Sequence, residues 1–302
     1  MDRPMDRKVA SFEGVFPPVL TPFRSDEVAY DKLAANLRRL DEHPLAGYVM
    51  LGSTGEFPLL SESEKERIIA TARAEIARSK LLIAGTGGES TGAAVRLSKR
   101  AADLGADAVI IITPHYYKAM MKPPALIRHY RAIADASPVP VVLYNFPANT
   151  GVNLEPDTVA RLAEHPNVRA IKDSSGNVPQ AAEIMRLTPK TFQVLVGSPI
   201  AFLPALVLGA SGGILAVANV APRECCEIWR LARAGQWAEA REIVYRLSPI
   251  ATGIGGRYGI GGLKAALDLT GSYGGPTRMP LPVPDGDAIE EIKEILATAG
   301  LL

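Results

Sequence analysis

Lys172 stands at the end of an apolar run. Val168-Arg169-Ala170-Ile171 leads up to it and Asp173-Ser174-Ser175-Gly176 stops it, the pattern of a buried strand with an amine at its tip. The other ten lysines lie in polar or helix-like surroundings. An ammonium is strongly hydrated, so a place at the mouth of an apolar strand favours the neutral amine. A neutral amine attacks a ketone and forms a Schiff base. A lysine that leaves the strand end and pairs with Asp173 would account for this stretch more simply; the rest of the chain reverses that balance. Tyr144 also closes an apolar run, and a tyrosine beside an imine moves protons during its formation and during carbon–carbon cleavage. Gly52-Ser53-Thr54-Gly55 offers unblocked backbone N–H groups and two hydroxyls, which suit a carboxylate.

These residues need elements that bring them together. Eight strand-like runs can be counted: Gly14–Leu20, Gly47–Leu51, Leu81–Gly85, Ala108–Ile112, Val139–Tyr144, Val168–Lys172, Gln193–Gly197 and Gly213–Val217. Their starts lie about 20 to 35 residues apart, the spacing of βα units. Helical periodicity fills most of the intervals. Ser61 with Glu64 makes a capping box, Ser90 or Thr91 opens a helix that Gly105 closes, and Pro124 lies near the start of another. The expected fold is an α/β (β/α)8 TIM barrel over residues 1–234, with a C-terminal helical extension over 235–302 packed on it. A doubly wound sheet is the alternative, but no Gly-x-Gly-x-x-Gly follows the first strand. The glycines at 253, 255, 256, 259, 261 and 262 read as a loop of close backbone packing.

In a barrel the site lies at the carboxyl ends of the strands. Those ends read Thr21-Pro22-Phe23, Gly52 to Glu56, Gly85-Thr86-Gly87, Thr113 to Tyr117, Tyr144 to Pro147, Lys172-Asp173-Ser174, Gly197-Ser198 and Ala218-Asn219. The ring holds one lysine, several tyrosines and hydroxyls, and no acidic or Cys/His cluster for a metal. The coherent chemistry is that of a class I, Schiff-base lyase, with no cofactor beyond the lysine imine. Glu56 reads as a capping or pairing residue.

Composition bounds the rest. Hydrophobic residues make up 47% of the 302 and the net charge is +1, which gives no electrostatic case for nucleic acid or an anionic membrane. Met1–Lys8 lacks a signal-peptide core. Cys225 and Cys226 are adjacent, which suits a reduced, cytoplasmic setting. From Thr191 to Pro222 there is no charge, and Ile200–Val220 is long enough to suggest a membrane helix, but Pro204 and the glycines at 209, 212 and 213 divide it; the stretch reads as a strand (Gln193–Val196), a helix (about Pro199–Leu208) and a strand (Gly213–Val217).

Together these motifs resemble the dihydrodipicolinate synthase / N-acetylneuraminate lyase family of pyruvate-type class I aldolases, over nearly the whole chain. The carrying residues are Gly14-Val15-Phe16-Pro17-Pro18, Gly52-Ser53-Thr54-Gly55-Glu56, Ile83 to Gly87, Tyr144-Asn145-x-Pro147, Ile171-Lys172-Asp173 and Gly271 to Leu281. The resemblance implies Lys172 as the Schiff-base residue, Tyr144 as the proton shuttle and Ser53 as a relay hydroxyl. It places Thr54, with Gly55, on the pyruvate carboxylate, Gly213, Ile214 and Ser198 around the pocket, and Tyr116 in a neighbouring subunit's site. The implied partners are a small 2-oxo acid and copies of the chain in a homotetramer, with neither nucleic acid nor membrane.

Asn149 stands where true synthases of this family usually have an arginine that grips the second substrate's carboxylate. Pro147-Ala148-Asn149-Thr150-Gly151 and Ser272-Tyr273-Gly274-Gly275-Pro276 resemble the 4-hydroxy-2-oxoglutarate aldolase branch. The expected reaction is therefore cleavage or formation of a 4-hydroxy-2-oxo acid. The alternatives are condensation of pyruvate with aspartate semialdehyde, dehydration of a sugar acid, a phosphate-binding isomerase barrel and a non-catalytic oxo-acid binder.

Overall fold

In the computed structural model, residues 11–302 are described; the reading of Met1–Lys8 lies outside them. Eight parallel strands form one sheet: β1 Gly14–Phe16, β2 Gly47–Met50, β3 Leu81–Gly85, β4 Ala108–Ile112, β5 Val141–Asn145, β6 Val168–Asp173, β7 Gln193–Val196 and β8 Gly212–Ile214. Neighbours run in the order β1-β8-β7-β6-β5-β4-β3-β2. The ring closes through backbone bonds between the β1 segment and β2. Ala46 N–H donates to Val15 O (3.1 Å), Val49 N–H to Pro17 O (3.0 Å) and Val19 N–H to Val49 O (2.9 Å).

The sequence reading ran the first strand on to Leu20, whereas regular pairing stops at Phe16 because Pro17 and Pro18 have no N–H to donate. Pro18 keeps a single bridge to Val49. At the other end of the sheet, β8 was expected at Gly213–Val217; it starts one residue earlier, stops at Ile214 and gives way to a tight helical turn over Ala216–Asn219. β5 spans Val141–Asn145 where Val139–Tyr144 was expected.

The barrel helices are α1 Tyr30–Asp41, α2 Glu62–Glu75, α3 Thr91–Asp103, α4 Pro123–Ala136, α5 Pro156–Ala163, α6 Val178–Leu187, α7 Pro199–Val207 and α8 Pro222–Arg233. Side-chain chemistry fixes their starts. The capping box of α2 is complete, with Glu64 N–H donating to Ser61 Oγ and Ser61 N–H to Glu64 Oε2. Ser90 caps α3 and Asn177 caps α6. Prolines occupy the first turn of α4 through α8. The uncharged stretch resolves into β7, α7 and β8, and among the described residues no helix is long and apolar enough to cross a membrane.

Strand alternation sorts the apolar side chains into two cores. Phe16, Val49, Ile83, Ile110, Val142, Tyr144, Ala170, Leu195 and Ile214 fill the barrel interior. Val141, Leu143, Ile171, Val194 and Val196 face the helix layer and belong to the larger outer core. Continuous apolar strands thus serve two faces at once.

Beyond α8 come α9 Trp237–Pro249, α10 Arg257–Leu269 and α11 Gly286–Thr298. The glycine cluster is not the loop expected from sequence. Ile250–Gly256 forms a wide, π-type helical run that continues α9 into α10, and only Gly259 breaks the helix (φ 58°, ψ −141°). The segment between α10 and α11 returns to the barrel. Tyr273 N–H donates to Asn36 Oδ1 (3.0 Å), and Tyr273 OH donates to Phe23 O (3.2 Å).

Candidate active site

Lys172 lies one residue from the end of β6 and is only 4% exposed. Its parallel partner is Tyr144 on β5. Lys172 Nζ lies 4.2 Å from the centre of the Tyr144 ring, and the Phe146 ring stacks with that of Tyr144, centroids 5.9 Å apart. Across the barrel mouth, Ser53 Oγ is 3.4 Å from Tyr144 OH. Amine, phenol and hydroxyl thus form one row, drawn from the ends of β6, β5 and β2.

Asp173 is not the partner of Lys172. Its carboxylate, buried on the outward face of β6, accepts from Asn145 Nδ2 (3.0 Å), Ser175 N–H (3.0 Å) and Ser175 Oγ (2.9 Å). Asn145 also donates to Asn153 Oδ1 (2.8 Å) and accepts from Leu154 N–H (2.9 Å). Neutral donors satisfy the Asp173 charge, which leaves the Lys172 amine to the barrel interior. The simple strand-end pairing is thereby overturned.

Gly197, at the end of β7, makes room for the lysine. A methyl there would lie 3.0 Å from Lys172 Cε, 2.9 Å from Ser174 Cβ and 1.9 Å from Ser174 Oγ. Ser174 therefore lies beside the lysine stem as well, a residue to which the sequence assigns no role. The signal was its position two residues past Lys172 in the ring of strand ends.

The remaining expected residues fall in different places. Ile214 lies in the interior cluster with Tyr144. Gly213 turns the other way, toward the helix layer, where a methyl would strike Phe202 Cε2 at 2.8 Å. Ser198 is half-buried just ahead of α7. Thr54 is half-buried in the loop after β2, and Gly55 is buried there, its carbonyl accepting from Thr21 Oγ1 (2.7 Å). Asn149 is exposed on a short turn after β5, where it lines a cleft of about 770 Å³ with Arg257, Tyr258, Ile260 and Pro284. Tyr116 is 76% exposed and makes an edge-to-face contact with Tyr117 (centroids 5.0 Å apart). Its backbone N–H, with that of His115, donates to Glu89 Oε2. Within one chain no hydrogen bond joins Tyr116 to Ser53, whose hydroxyl meets Tyr144 instead.

Glu56, read as a pairing residue, is one: it forms a fully buried ion pair with Lys264 of α10 (2.5 Å). Burial pushes the Lys264 amine below its ordinary pKa. Glu64, held by the Arg278 guanidinium, has its carboxyl pulled down to about 2.

A closed (β/α)8 barrel with a buried lysine beside a tyrosine at its carboxyl mouth defines an enzyme of the lysine Schiff-base lyase class. The family model for the dihydrodipicolinate synthetase family matches residues 11–299, and the chain belongs to that family. The 4-hydroxy-tetrahydrodipicolinate synthase of Methanospirillum hungatei is 38% identical over 290 residues, covering 95% of this chain and 99% of that protein. A crystal structure of a dihydrodipicolinate synthase superposes with a TM-score of 0.91 at 36% identity, covering 96% of this chain and 100% of the other. A monomeric dihydrodipicolinate synthase variant gives 0.93 at 30% identity, covering 97% and 99%. These relatives are named as synthases. They give the 4-hydroxy-2-oxoglutarate aldolase reading no specific support, and the synthase alternative is the better supported.

Proposed function

We propose that the chain holds pyruvate as an imine on Lys172 and joins its enamine to the aldehyde carbon of aspartate semialdehyde, as a 4-hydroxy-tetrahydrodipicolinate synthase. The observation that carries the shared chemistry is the row Lys172, Tyr144, Ser53; the relatives' names favour this acceptor. The Lys172 amine adds to the C2 ketone, and loss of water gives the imine. Tyr144 transfers the protons of that step, and Ser53 passes them outward. Tyr144 takes a methyl proton from the protonated imine to give the enamine, whose carbon attacks the aldehyde; the new alkoxide takes that proton back, and the acceptor's own amino group then displaces Lys172 from the imine carbon, closing the ring and freeing the lysine. No cofactor beyond the imine is needed. Thr54 and Ser198 are the groups that hold the pyruvate carboxylate in this reading, with Ile214 and the backbone of Gly213 bordering the pocket; Gly55 shapes the loop instead, its N–H donating to Gly52 O and its carbonyl accepting from Thr21. Exposed Tyr116 completes the relay from a neighbouring subunit of a homotetramer, and the enzyme works in the cytoplasm.

One observation favours a second reading. Asn149, exposed on the turn after β5, is a neutral amide and not the arginine that would fork onto the acceptor's carboxylate. The loop around it, Pro147-Ala148-Asn149-Thr150-Gly151, resembles that of the branch that cleaves 4-hydroxy-2-oxo acids such as 4-hydroxy-2-oxoglutarate, a reaction that uses the same lysine, tyrosine and serine. The test has two parts. Borohydride reduction in the presence of pyruvate, followed by mass spectrometry, should find an adduct on Lys172 that Lys172→Ala lacks; an adduct surviving in that variant refutes both readings. A substrate panel then separates them: faster condensation with aspartate semialdehyde supports the synthase, and faster cleavage of 4-hydroxy-2-oxoglutarate overturns it.

A further inference from the structure

The loop carrying Ser53 is held in an unfavourable backbone conformation. Leu51 (φ 59°) and Glu56 (φ 57°), neither of them glycine, bracket residues 52–55 in the left-handed region. Such residues cost of order 1 kcal/mol or more each and persist only where surrounding contacts over-determine them. Here the contacts come from the far end of the chain. Glu56 is fully buried, with one carboxylate oxygen 2.5 Å from Lys264 Nζ and the other accepting from Arg278 N–H at 2.9 Å. Lys264, equally buried, donates to Pro276 O (2.8 Å) and lies 4.4 Å from the centre of the Phe23 ring. Arg278 covers the same ring at 4.4 Å and donates to Leu59 O (2.9 Å) and to both oxygens of Glu64. Three residues before Glu56, Ser53 Oγ meets Tyr144 OH.

Two opposite charges wholly out of water are an expensive way to hold a loop; an apolar pair of similar volume is often as stable. What the ion pair adds is direction. It fixes where the Glu56 side chain points, and with it the left-handed turn that aims Ser53 across the barrel mouth. We propose that Glu56 and Lys264 are positioning residues for the proton relay: a buried ion pair from the C-terminal helices that sets Ser53 against Tyr144. The inference rests on the Schiff-base reading and adds to it a requirement located in α10.

The test uses the full-length enzyme at a temperature where circular dichroism shows each variant folded. Glu56→Gln keeps the shape and removes one charge; Lys264→Met removes the other. Each should slow pyruvate-imine formation, read by single-turnover borohydride trapping, and kcat by at least tenfold, while KM for pyruvate moves less than threefold. The decisive readout is a cycle with Ser53→Ala. If the pair acts through Ser53, adding Glu56→Gln to Ser53→Ala lowers the rate by less than a further twofold. Multiplying losses, or wild-type kcat in folded Glu56→Gln, would overturn the inference while leaving the Lys172 adduct intact. Should the single variants fail to fold, the doubly neutral Glu56→Gln/Lys264→Met enzyme carries the same readouts. An enzyme that yields no trapped adduct even as wild type overturns the function reading, and this inference with it.

Discussion

Gly197→Ala tests how tightly the lysine stem is packed at the end of β7. The added methyl would lie 1.9 Å from Ser174 Oγ, 2.9 Å from Ser174 Cβ and 3.0 Å from Lys172 Cε. The hydroxyl can rotate out of the way. Ser174 Cβ cannot, because it is fixed to a backbone whose N–H donates to Asn145 O at 2.8 Å. Restoring ordinary carbon–carbon separations of about 3.5–4.0 Å therefore requires displacements of roughly 0.5–1 Å, and the lysine stem must take part of them. A misplacement of about 1 Å costs a reacting group about 10²-fold. The cost to the fold is that of one extra methyl in a packed interior, about 1–3 kcal/mol. Gly197 is not among the residues with positive φ, so alanine is not strained by the backbone. The variant should keep its circular dichroism spectrum, melt a few degrees lower and lose about a hundredfold in kcat/KM, with hydride trapping on Lys172 slowed in parallel. Trapping and turnover at wild-type rates would show that the lysine has slack, and the steric account of Gly197 would be wrong.

Asn145→Ala removes donors to Asp173 and Asn153 and the acceptor of Leu154 N–H, leaving a buried carboxylate short of partners. The expected loss is about 2–3 kcal/mol, read as a lower urea midpoint at unchanged slope; an unaltered midpoint would contradict the network. The pH dependence follows from Glu64, whose carboxyl sits at about 2 against an ordinary 4.5, chiefly through its hydrogen bonds to Arg278. A depressed carboxyl stabilises the fold above 4.5 and loses that contribution as pH falls toward 2. Screened by solvent at this partly open site, the contribution is about 1 kcal/mol. Denaturation at pH 5 and pH 3 should show the loss in the wild type and less of it in Glu64→Gln; parallel losses in the two would refute the assignment.

The strand and helix count, the capping box and the row of Lys172, Tyr144 and Ser53 were legible because each rests on local pattern: apolar runs, cap residues, a polar group at a run's end. What the sequence hid was pairing at long range. Lys264 reads as one more lysine in a helical stretch, yet it is more deeply buried than Lys172; its partner Glu56 lies more than two hundred positions away, and no local signal joins them. The glycines from Gly253 to Gly262 suggested a loop because glycine is a poor helix former. Here small residues let α10 and the π-type run before it approach their neighbours: a methyl on Gly261 would lie 2.6 Å from Pro282 O, and one on Gly253 2.8 Å from Ile295 Cδ1. Tertiary closeness overrode propensity.

A single residue decides which way Lys172 points. Val168 packs in the outer core, facing the helices. Strict alternation from Val168 would send Ala170 and Lys172 outward as well. Instead the pairing with β5 slips: Val141 stands opposite Val168, but Val142 stands opposite Ala170. Arg169 is the extra residue of a bulge. Past it the parity is reversed, so Ala170 lies in the interior cluster and Lys172 stands beside Tyr144. The same slip turns Asp173 outward, level with Asn145, where the polar network receives its charge. Without the bulge the carboxylate would face the barrel interior and the amine would face the helices. The chemistry of the site is thus written in residue types, but its direction comes from one irregularity three residues upstream.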